Sequence, residues 1–258
     1  MLQICLKEMM SEKHKIKVGA VSYLNTKPMM YGMQNEAFLQ DHELVPGYPA
    51  RVAEMLKAGE VDVALVPVAL LKELPNYFIV SDYCIAAEHE VASVCLFSEV
   101  PVNELTTVYL DYQSRTSVAL AKVLMNEFWG IHPEIINAQD ESYRTKIEGR
   151  TGAVVIGDRA LEQRRLSTYI YDLASEWQAM TNLPFVFAVW VSLTPMGEDW
   201  ITRFNAANAE GFLHIDEIAE AQKYPVYDLK KYYTHNISYL LDDNKRKGME
   251  KFLAFLNA

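Results

Sequence analysis

The sequence predicts an α/β protein with two α/β lobes around a central cleft. Its 258 residues, half of them apolar, can bury a large core without metals or disulfides. Short apolar runs rich in β-branched residues alternate with segments of helical periodicity, a pattern typical of parallel strands joined by crossover helices. A long apolar strand near residue 190 precedes a mainly helical C-terminal third, which we expect to pack on the lobe where the chain began.

The predicted strands are short runs that are mostly apolar, as in sheets covered on both faces. We place them at residues 16–21, 61–66, 92–97, 107–110, 153–156 and 185–193.

The predicted helices follow from apolar residues at helical spacing and from glycines that end them. A helix starts near Pro28, and another begins at Asp158, whose side chain is placed to cap it. The others are predicted at residues 49–59, 116–129, 201–212, 215–223, 229–233 and 243–256.

This order of elements predicts two lobes, one of them discontinuous in sequence. The first lobe would comprise residues 15–98 and 192–258, and the second lobe residues 99–191. Two α/β lobes joined by two crossing segments describe a periplasmic-binding-protein-like architecture of type II. In such folds the ligand lies at the carboxyl ends of strands, between the lobes.

Composition narrows the choice of partners. A formal net charge of -10 provides no basic field for nucleic acid or for an anionic membrane surface, so we expect neither partner. An anionic small molecule remains a candidate, provided that its charge is met locally. We interpret Cys84 and Cys95 as buried thiols, and the three cysteines, Cys5 included, show no metal-ligand spacing.

The N-terminal segment carries several charges and lacks an apolar core of the length that a secretory signal needs. No apolar stretch approaches the ~18 residues of a membrane helix. We therefore expect a cytoplasmic protein, and the sequence leaves its oligomeric state open.

A first polar junction, residues 22–28 (SYLNTKP), connects the first strand to a helix. Free N–H groups at a helix N-terminus favour a carboxylate, so Ser22, Tyr23, Asn25 and Thr26 are candidate ligand-binding residues. The structural alternative is that Asn25 or Thr26 merely caps the helix.

A second polar junction, residues 111–117 (DYQSRTS), follows the strand that ends at Leu110. Hydroxyl groups here can donate to an anion, and the guanidinium can add charge or a bidentate contact. The alternative is a helix cap beside a solvated arginine. Two such junctions on opposite lobes would suit a ligand with two carboxylates. The candidates are Asp111, Ser114, Arg115, Thr116 and Ser117.

Further candidates lie outside the two junctions. Ser93 is a lone hydroxyl among Val and Leu, so it either faces the cleft or bonds a neighbouring backbone carbonyl. Gly157 permits close approach of backbone to a ligand, and Asp158 is either a ligand contact or the helix cap. The aromatic residues Phe185, Phe187 and Trp190 either pack in the core or form a wall against a planar ring. The six histidines are dispersed, so we predict no metal site.

Several motifs give the chain a specific resemblance. The segment VGAVSYLNTKP at residues 18–28 resembles the opening motif of the chorismate dehydratase family, which serves the futalosine route to menaquinone. Asn182 stands where that family commonly has Gly, and both residues tolerate a positive φ. Further motifs similar to those of the family are ALVPV (64–68), SVCLFS (93–98), LDYQSRTS (110–117), VIGDRAL (155–161), DLASEW (172–177) and LPFVFAVW (183–190).

The resemblance implies that chorismate loses water to form 3-[(1-carboxyvinyl)oxy]benzoate, with no metal or redox cofactor. It implies Asn25 as the catalytic residue, while Ser93 and the 114–117 segment would bind carboxylates. For the base we hypothesise the enolpyruvyl carboxylate of the substrate, since proximity lets a weak base suffice. Asp111 is the competing candidate.

Two other functions stay open at this level. The sister enzyme 1,4-dihydroxy-6-naphthoate synthase shares the fold, but it typically has a Cys-Pro-Asn-Asp type segment where residues 22–26 here read SYLNT. A non-catalytic small-anion binding protein is the second alternative, because the same architecture often only binds.

Overall fold

The computed structural model describes residues 15–256, and these residues form two β-sheets. Cys5 and the predicted non-secretory leader lie outside the described residues. The first sheet has six strands in the order β11-β4-β10-β3-β1-β2, with β1 parallel to β2 and β3, and β10 antiparallel to β3 and β4. Its strands are β1 (Ile16–Val21), β2 (His42–Gly47), β3 (Val63–Pro67), β4 (Phe78–Ala87), β10 (Phe185–Ser192) and β11 (Ser238–Leu240).

The second sheet has five strands in the order β7-β6-β8-β5-β9. Within it, β6 runs parallel to β7 and β8, whereas β5 runs antiparallel to β8 and β9. Its strands are β5 (Val94–Ser98), β6 (Thr107–Leu110), β7 (Glu134–Asn137), β8 (Thr151–Ile156) and β9 (Tyr169–Asp172). We call the first sheet with its helices the first lobe, and the second sheet with its helices the second lobe.

Sheet pairing corrects the predicted lobe boundaries in two places. Strand β5 was predicted in the first lobe but pairs with β8 and β9 of the second sheet. The strand predicted at residues 185–193 lay mainly in the predicted second lobe, but within residues 15–256 strand β10 pairs with β3 and β4 of the first sheet. The chain therefore crosses between the sheets at residues 88–93 and again at residues 182–184.

Helices cover the sheets. The helix of residues 116–124 continues as a π-helical turn, Met125–Trp129, and ends at Gly130, whose φ of 62° is left-handed. The α-helices are α1 (Lys27–Met33), α2 (Glu36–Asp41), α3 (Pro49–Lys57), α4 (Thr116–Leu124), α5 (Asp158–Gln163), α6 (Leu173–Thr181), α7 (Glu198–Glu210), α8 (Ile215–Ala221), α9 (Leu229–Lys231) and α10 (Asp243–Phe255).

Several local predictions are confirmed. Strand β1 and strand β6 have the predicted bounds, and both Cys84 and Cys95 are buried free thiols. Asn182 ends α6 with a φ of 58°, so it does preserve the left-handed turn where glycine is common in the resembled family.

One cap prediction is wrong. Helix α5 begins at Asp158, but the side chain of that residue makes no cap hydrogen bond; its Oδ1 accepts from the backbone N–H of Leu24 in the first lobe, at 3.1 Å. The contact ties the two lobes together beside the cleft.

Candidate active site

A cleft lies where the two lobes meet, and residues of both lobes line it. Eight residues that the sequence analysis named as candidates line it, together with ten apolar residues. None of these lining residues carries a formal charge. The polar set is Tyr23, Asn25, Thr26, Ser93, Ser114, Thr116, Ser117 and Gly157; the remainder are Val21, Pro49, Leu65, Pro67, Ile85, Val91, Val94, Ile156, Phe187 and Ala188.

The first polar junction presents Asn25 to the cleft. Directly after β1 the chain makes a 3₁₀ turn, Leu24–Thr26, in which the Thr26 hydroxyl donates to the carbonyls of Val21 (2.6 Å) and Tyr23 (2.8 Å). Thr26 thus ties the turn to the strand end. Asn25 Oδ1 is buried and has no hydrogen-bond partner among residues 15–256. A buried acceptor without a partner costs free energy, so a ligand donor is the natural occupant.

Neither Asn25 nor Thr26 caps helix α1 through its side chain, so that alternative is wrong. Thr26 is the last residue of the 3₁₀ turn and has a helical backbone, and its hydroxyl donates to upstream carbonyls. Ser22 is exposed and lies outside the cleft lining.

The second polar junction presents hydroxyl groups at the start of α4. Ser114 Oγ accepts from the backbone N–H of Ser117 at 3.0 Å, as a capping side chain does, and it also lines the cleft. Thr116 Oγ1 accepts from the backbone N–H of Ala69 in the first lobe at 3.1 Å. Ser114 therefore both bonds the first turn of α4 and lines the cleft, whereas Thr116 connects the lining to the first lobe.

Asp111 lies outside the cleft lining, in the interior of the second lobe. Its carboxylate, fully buried, accepts from Tyr143 Oη at 2.5 Å, from Arg159 Nη2 at 3.0 Å and from the backbone N–H of Gln113 at 2.7 Å. Both oxygens are thus occupied by protein donors, which leaves Asp111 without a route to a ligand proton.

Arg115 also points away from the cleft lining. Its guanidinium donates to Glu73 at 2.7 Å and to Glu54 at 2.6 Å, and both carboxylates belong to the first lobe. Instead of providing a free cation to the ligand, Arg115 forms an exposed ion-pair bridge between the lobes.

Gly157 lies against the ring of Tyr23. Its φ is 65°, and a Cβ atom built there would lie 3.3 Å from Tyr23 Cε2. The positive φ favours glycine, and a Cβ at that distance would press on the Tyr23 ring. The Tyr23 hydroxyl donates across the lobes to Gln113 Oε1, and burial raises the pKa of this phenol, so it stays protonated. Burial likewise raises the pKa of the neighbouring Asp158.

Ser93 is buried at the first crossing, immediately before β5. Its Oγ lies 2.6 Å from the hydroxyl of Tyr232, a residue that sequence reasoning missed. The only periodic signal near Tyr232 is helical, so the sequence gives no sign that the chain returns to this point. Of the predicted aromatic cluster, Phe187 lines the cleft, whereas Phe185 and Trp190 pack in the core.

Two general properties complete the site. Within residues 15–256, no three His, Cys, Asp or Glu side chains come close enough together to hold a metal ion. Over the same residues, no helix has the length and apolar character needed to cross a membrane.

Comparison with known proteins identifies the family. A family model described as menaquinone biosynthesis matches residues 16–258. The chain belongs to this menaquinone biosynthesis family. It is 29% identical to a chorismate dehydratase of Thermus thermophilus, over 91% of this chain and 93% of that protein. It is 23% identical to a chorismate dehydratase of Campylobacter jejuni, over 91% and 95% of the two chains.

Solved structures agree on the fold of this family member. A protein from Archaeoglobus fulgidus superposes with a TM-score of 0.76 at 12% identity, covering 95% of this chain and 98% of that one. A Candida albicans gene product, described as exhibiting the generic periplasmic binding protein fold, superposes with a TM-score of 0.62 at 14% identity, covering 94% and 90%. The predicted periplasmic-binding-protein-like fold is confirmed.

Proposed function

We propose that this protein is a chorismate dehydratase, a hydro-lyase that converts chorismate to 3-[(1-carboxyvinyl)oxy]benzoate and water in menaquinone biosynthesis. Its family and the names of the two relatives described above support this reaction. The observation that carries the proposal to particular residues is the buried, unpartnered Oδ1 of Asn25 in a cleft lined by neutral donors.

Asn25 matches the one hydroxyl of the substrate. Chorismate has two carboxylates, which only accept hydrogen bonds, and a single O–H donor at ring C4. An unpartnered acceptor in the cleft therefore has one substrate group to bind, the C4 hydroxyl. The amide Nδ2 of the same side chain is a donor, and it is available to negative charge that develops during the reaction.

The reaction we propose begins with loss of the C3 proton. The electron pair of the C3–H bond enters the ring diene and delocalises into the ring carboxylate. The C4–O bond then breaks, the departing hydroxide takes up the proton that the base removed from C3 and leaves as water, and the ring becomes aromatic. Donors held in place for the transient charge stabilise the transition state more than the substrate, which lowers the barrier.

The donors assigned to the two substrate carboxylates are neutral. Ser93 lies at the crossing, and Ser114, Thr116 and Ser117 lie at the start of helix α4, where backbone N–H groups also favour an anion. Tyr23 and Gly157 shape the wall beside Asn25. The apolar lining lowers the local dielectric, so each hydrogen bond to the substrate counts for more.

For the base we propose the enolpyruvyl carboxylate of chorismate itself. Among the lining residues the only titratable group is Tyr23, and burial holds its pKa above the ordinary value, so the phenol stays protonated. The competing candidate, Asp111, is buried outside the cleft with protein donors on both oxygens. An ester of the enolpyruvyl carboxylate should bind without turning over; normal turnover of a bound ester would contradict substrate assistance.

The test is to incubate purified protein with chorismate and to follow the ultraviolet spectrum and the mass. We expect a loss of about 18 mass units together with aromatic absorbance. Chorismate that binds but stays intact would return the protein to the class of small-anion binding proteins. Turnover of cyclic dehypoxanthine futalosine in place of chorismate would assign it to the sister naphthoate synthase activity.

We place this reaction in the cytoplasm. Cys84 and Cys95 are free thiols among the described residues, which is the usual state in a reducing compartment. The proposal requires a small-molecule substrate and no macromolecular partner.

A further inference from the structure

The first crossing between the lobes, residues 88–93, is held firmly from the second lobe. The buried carboxylate of Asp172 accepts from the backbone N–H groups of Val91 (3.1 Å) and Ala92 (2.8 Å), and Arg164 donates to the Ala92 carbonyl at 3.3 Å. Ala92 has a φ of 62°, a conformation that costs a non-glycine residue free energy. The surrounding contacts fix this backbone, and with it the position from which the Ser93 side chain projects.

The Ser93 hydroxyl itself is held from the first lobe. Tyr232 is fully buried, begins the π-helical turn Tyr232–Asn236, and places its hydroxyl 2.6 Å from Ser93 Oγ. Four residues on, Asn236 Nδ2 donates to the Glu90 carbonyl of the same crossing at 3.0 Å. Single π-helical turns are frequent at functional sites, and here the turn braces the crossing at two points.

The chemistry of two hydroxyl groups explains what this contact does. Ser93 has one hydroxyl proton, and that proton is free for a substrate carboxylate only if Ser93 accepts, rather than donates, in its contact with Tyr232. Tyr232 is then the donor, and burial raises the pKa of its phenol, so the proton is retained. The one other hydrogen-bond partner of Ser93 Oγ among residues 15–256 is the Val91 carbonyl at 3.5 Å, the limit of a hydrogen bond.

We propose that Tyr232 is a positioning residue of the active site, which holds Ser93 Oγ so that the serine proton is directed into the cleft. The inference rests on the proposed function, because it assigns the serine proton to a carboxylate of chorismate. Donation from tyrosine to serine also strengthens the serine as a donor, since hydrogen bonds in a chain polarise one another.

The chain offers a matched control. Tyr239 is buried like Tyr232, but its hydroxyl has no hydrogen-bond partner among the described residues. Tyr232→Phe and Tyr239→Phe therefore remove the same atom from two buried phenols, of which only one contacts Ser93. Comparing the two variants distinguishes the loss of the hydrogen bond to Ser93 from the general effect of removing a buried hydroxyl.

The experiment is a double-mutant cycle in the full chain, with kcat and KM for chorismate and thermal unfolding measured for every variant. Tyr232→Phe should lower kcat/KM about fivefold to tenfold, the size of one lost hydrogen bond. In a Ser93→Ala background the same change should alter kcat/KM by less than about twofold, because its effect passes through the serine. Tyr239→Phe should keep kcat/KM at the wild-type value.

Each other outcome has a definite meaning. Wild-type kcat/KM in Tyr232→Phe, or an equal loss with and without the Ser93 hydroxyl, would overturn the proposal while leaving the function intact. If Tyr232→Phe does not fold, 3-fluorotyrosine in place of Tyr232 keeps the donor and the shape, and wild-type kcat/KM is then expected, whereas a tenfold loss would overturn the proposal. A wild-type chain that binds but does not convert chorismate refutes only the function, and the cycle is then measured as dissociation constants.

Discussion

The two polar junctions look alike in sequence and differ in how the structure uses them. Both follow a parallel strand and precede a helix. In the first junction an uncharged amide, Asn25, is left without a protein partner in the cleft. In the second, the charged residues Asp111 and Arg115 are each paired with protein groups outside the cleft lining, and only hydroxyls remain.

On the proposed function, this acidic protein binds a dianion with neutral donors and without a free cation beside it. Buried charges need partners, so the charged side chains near the cleft support the structure around it. Neutral donors and helix N–H groups can stabilise transient negative charge without an ion pair that would hold the substrate equally well before reaction. We therefore expect charged-residue variants to affect stability and neutral-residue variants to affect catalysis.

The largest expected effect is on stability, at Asp111. Asp111→Ala leaves the guanidinium of Arg159 buried without its carboxylate, and loss of one partner of a buried pair costs about 4 kcal/mol. Chemical denaturation should show this loss in the free energy of unfolding. Tyr143→Phe, which removes one donor to the same carboxylate and no charge, is the control and should cost about 1 kcal/mol. A stable Asp111→Ala protein with kcat reduced a thousandfold would make Asp111 catalytic and would contradict its structural role.

The next effect is on catalysis, at Asn25. Asn25→Ala should lower kcat for chorismate about a hundredfold to a thousandfold, as loss of one donor at a site of developing charge does. Its stability should stay equal or rise, because the change removes a buried acceptor that lacks a partner. Asn126→Ala, on an exposed side chain, is the matched control. Wild-type kcat in Asn25→Ala would remove the first junction from the mechanism.

Much of this contrast was predictable from sequence, and the missing part has a physical cause. Strand ends and helix starts follow from local periodicity, so both junctions and the bounds of β1 and β6 were predicted correctly. The charged partners of Asp111 and Arg115 lie far away in sequence. Arg159 is 48 positions from Asp111, and Glu73 and Glu54 are 42 and 61 positions from Arg115. No local sequence pattern encodes such pairs.

The lobe boundaries failed for a related reason. Strands β5 and β10 are buried along nearly their whole length, so their sequences carry no alternation that would show which sheet they join. The contact of Tyr232 with Ser93 spans 139 positions and was missed in the same way. The resemblance to a known family, by contrast, depends on the residues themselves, which is why Asn25 could be named before the fold was known.

Asp172 is a buried charged residue near the cleft whose contribution to stability should depend on pH. Burial raises the pKa of this carboxyl to about 6, against backbone donors that lower it, and Arg164, Glu90 and Cys95 also face it. Because the folded-state pKa lies above the unfolded value near 4, the folded state binds more protons between those values. Stability at this group therefore falls as the pH rises from about 4 to about 6, by on the order of 3 kcal/mol.

Chemical denaturation of Asp172→Asn and of the wild type between pH 4 and pH 7 measures this pH-dependent contribution to the free energy of unfolding. The asparagine does not titrate, so the free energy of unfolding of the wild type should fall relative to that of the variant across the window. Asp62→Asn, which removes an exposed carboxylate that accepts from Lys17 N–H, is the control. Parallel pH profiles for Asp172→Asn and the wild type would show that burial does not raise the pKa of Asp172.

The smallest effect is expected at Arg115, and it tests the comparison most directly. The Arg115 side chain is 35% exposed and its two glutamate partners are about half exposed, so its ion pairs contribute at most about 1 kcal/mol to stability. Since the guanidinium lies outside the cleft lining, Arg115→Ala should also leave the affinity for chorismate, measured by calorimetry, within about twofold of the wild-type value. Arg203→Ala, which removes a second exposed ion-paired arginine, is the control. A tenfold weaker affinity in Arg115→Ala alone would mean that the guanidinium leaves Glu54 and Glu73 for the substrate, so that the second junction binds its anion with charge after all.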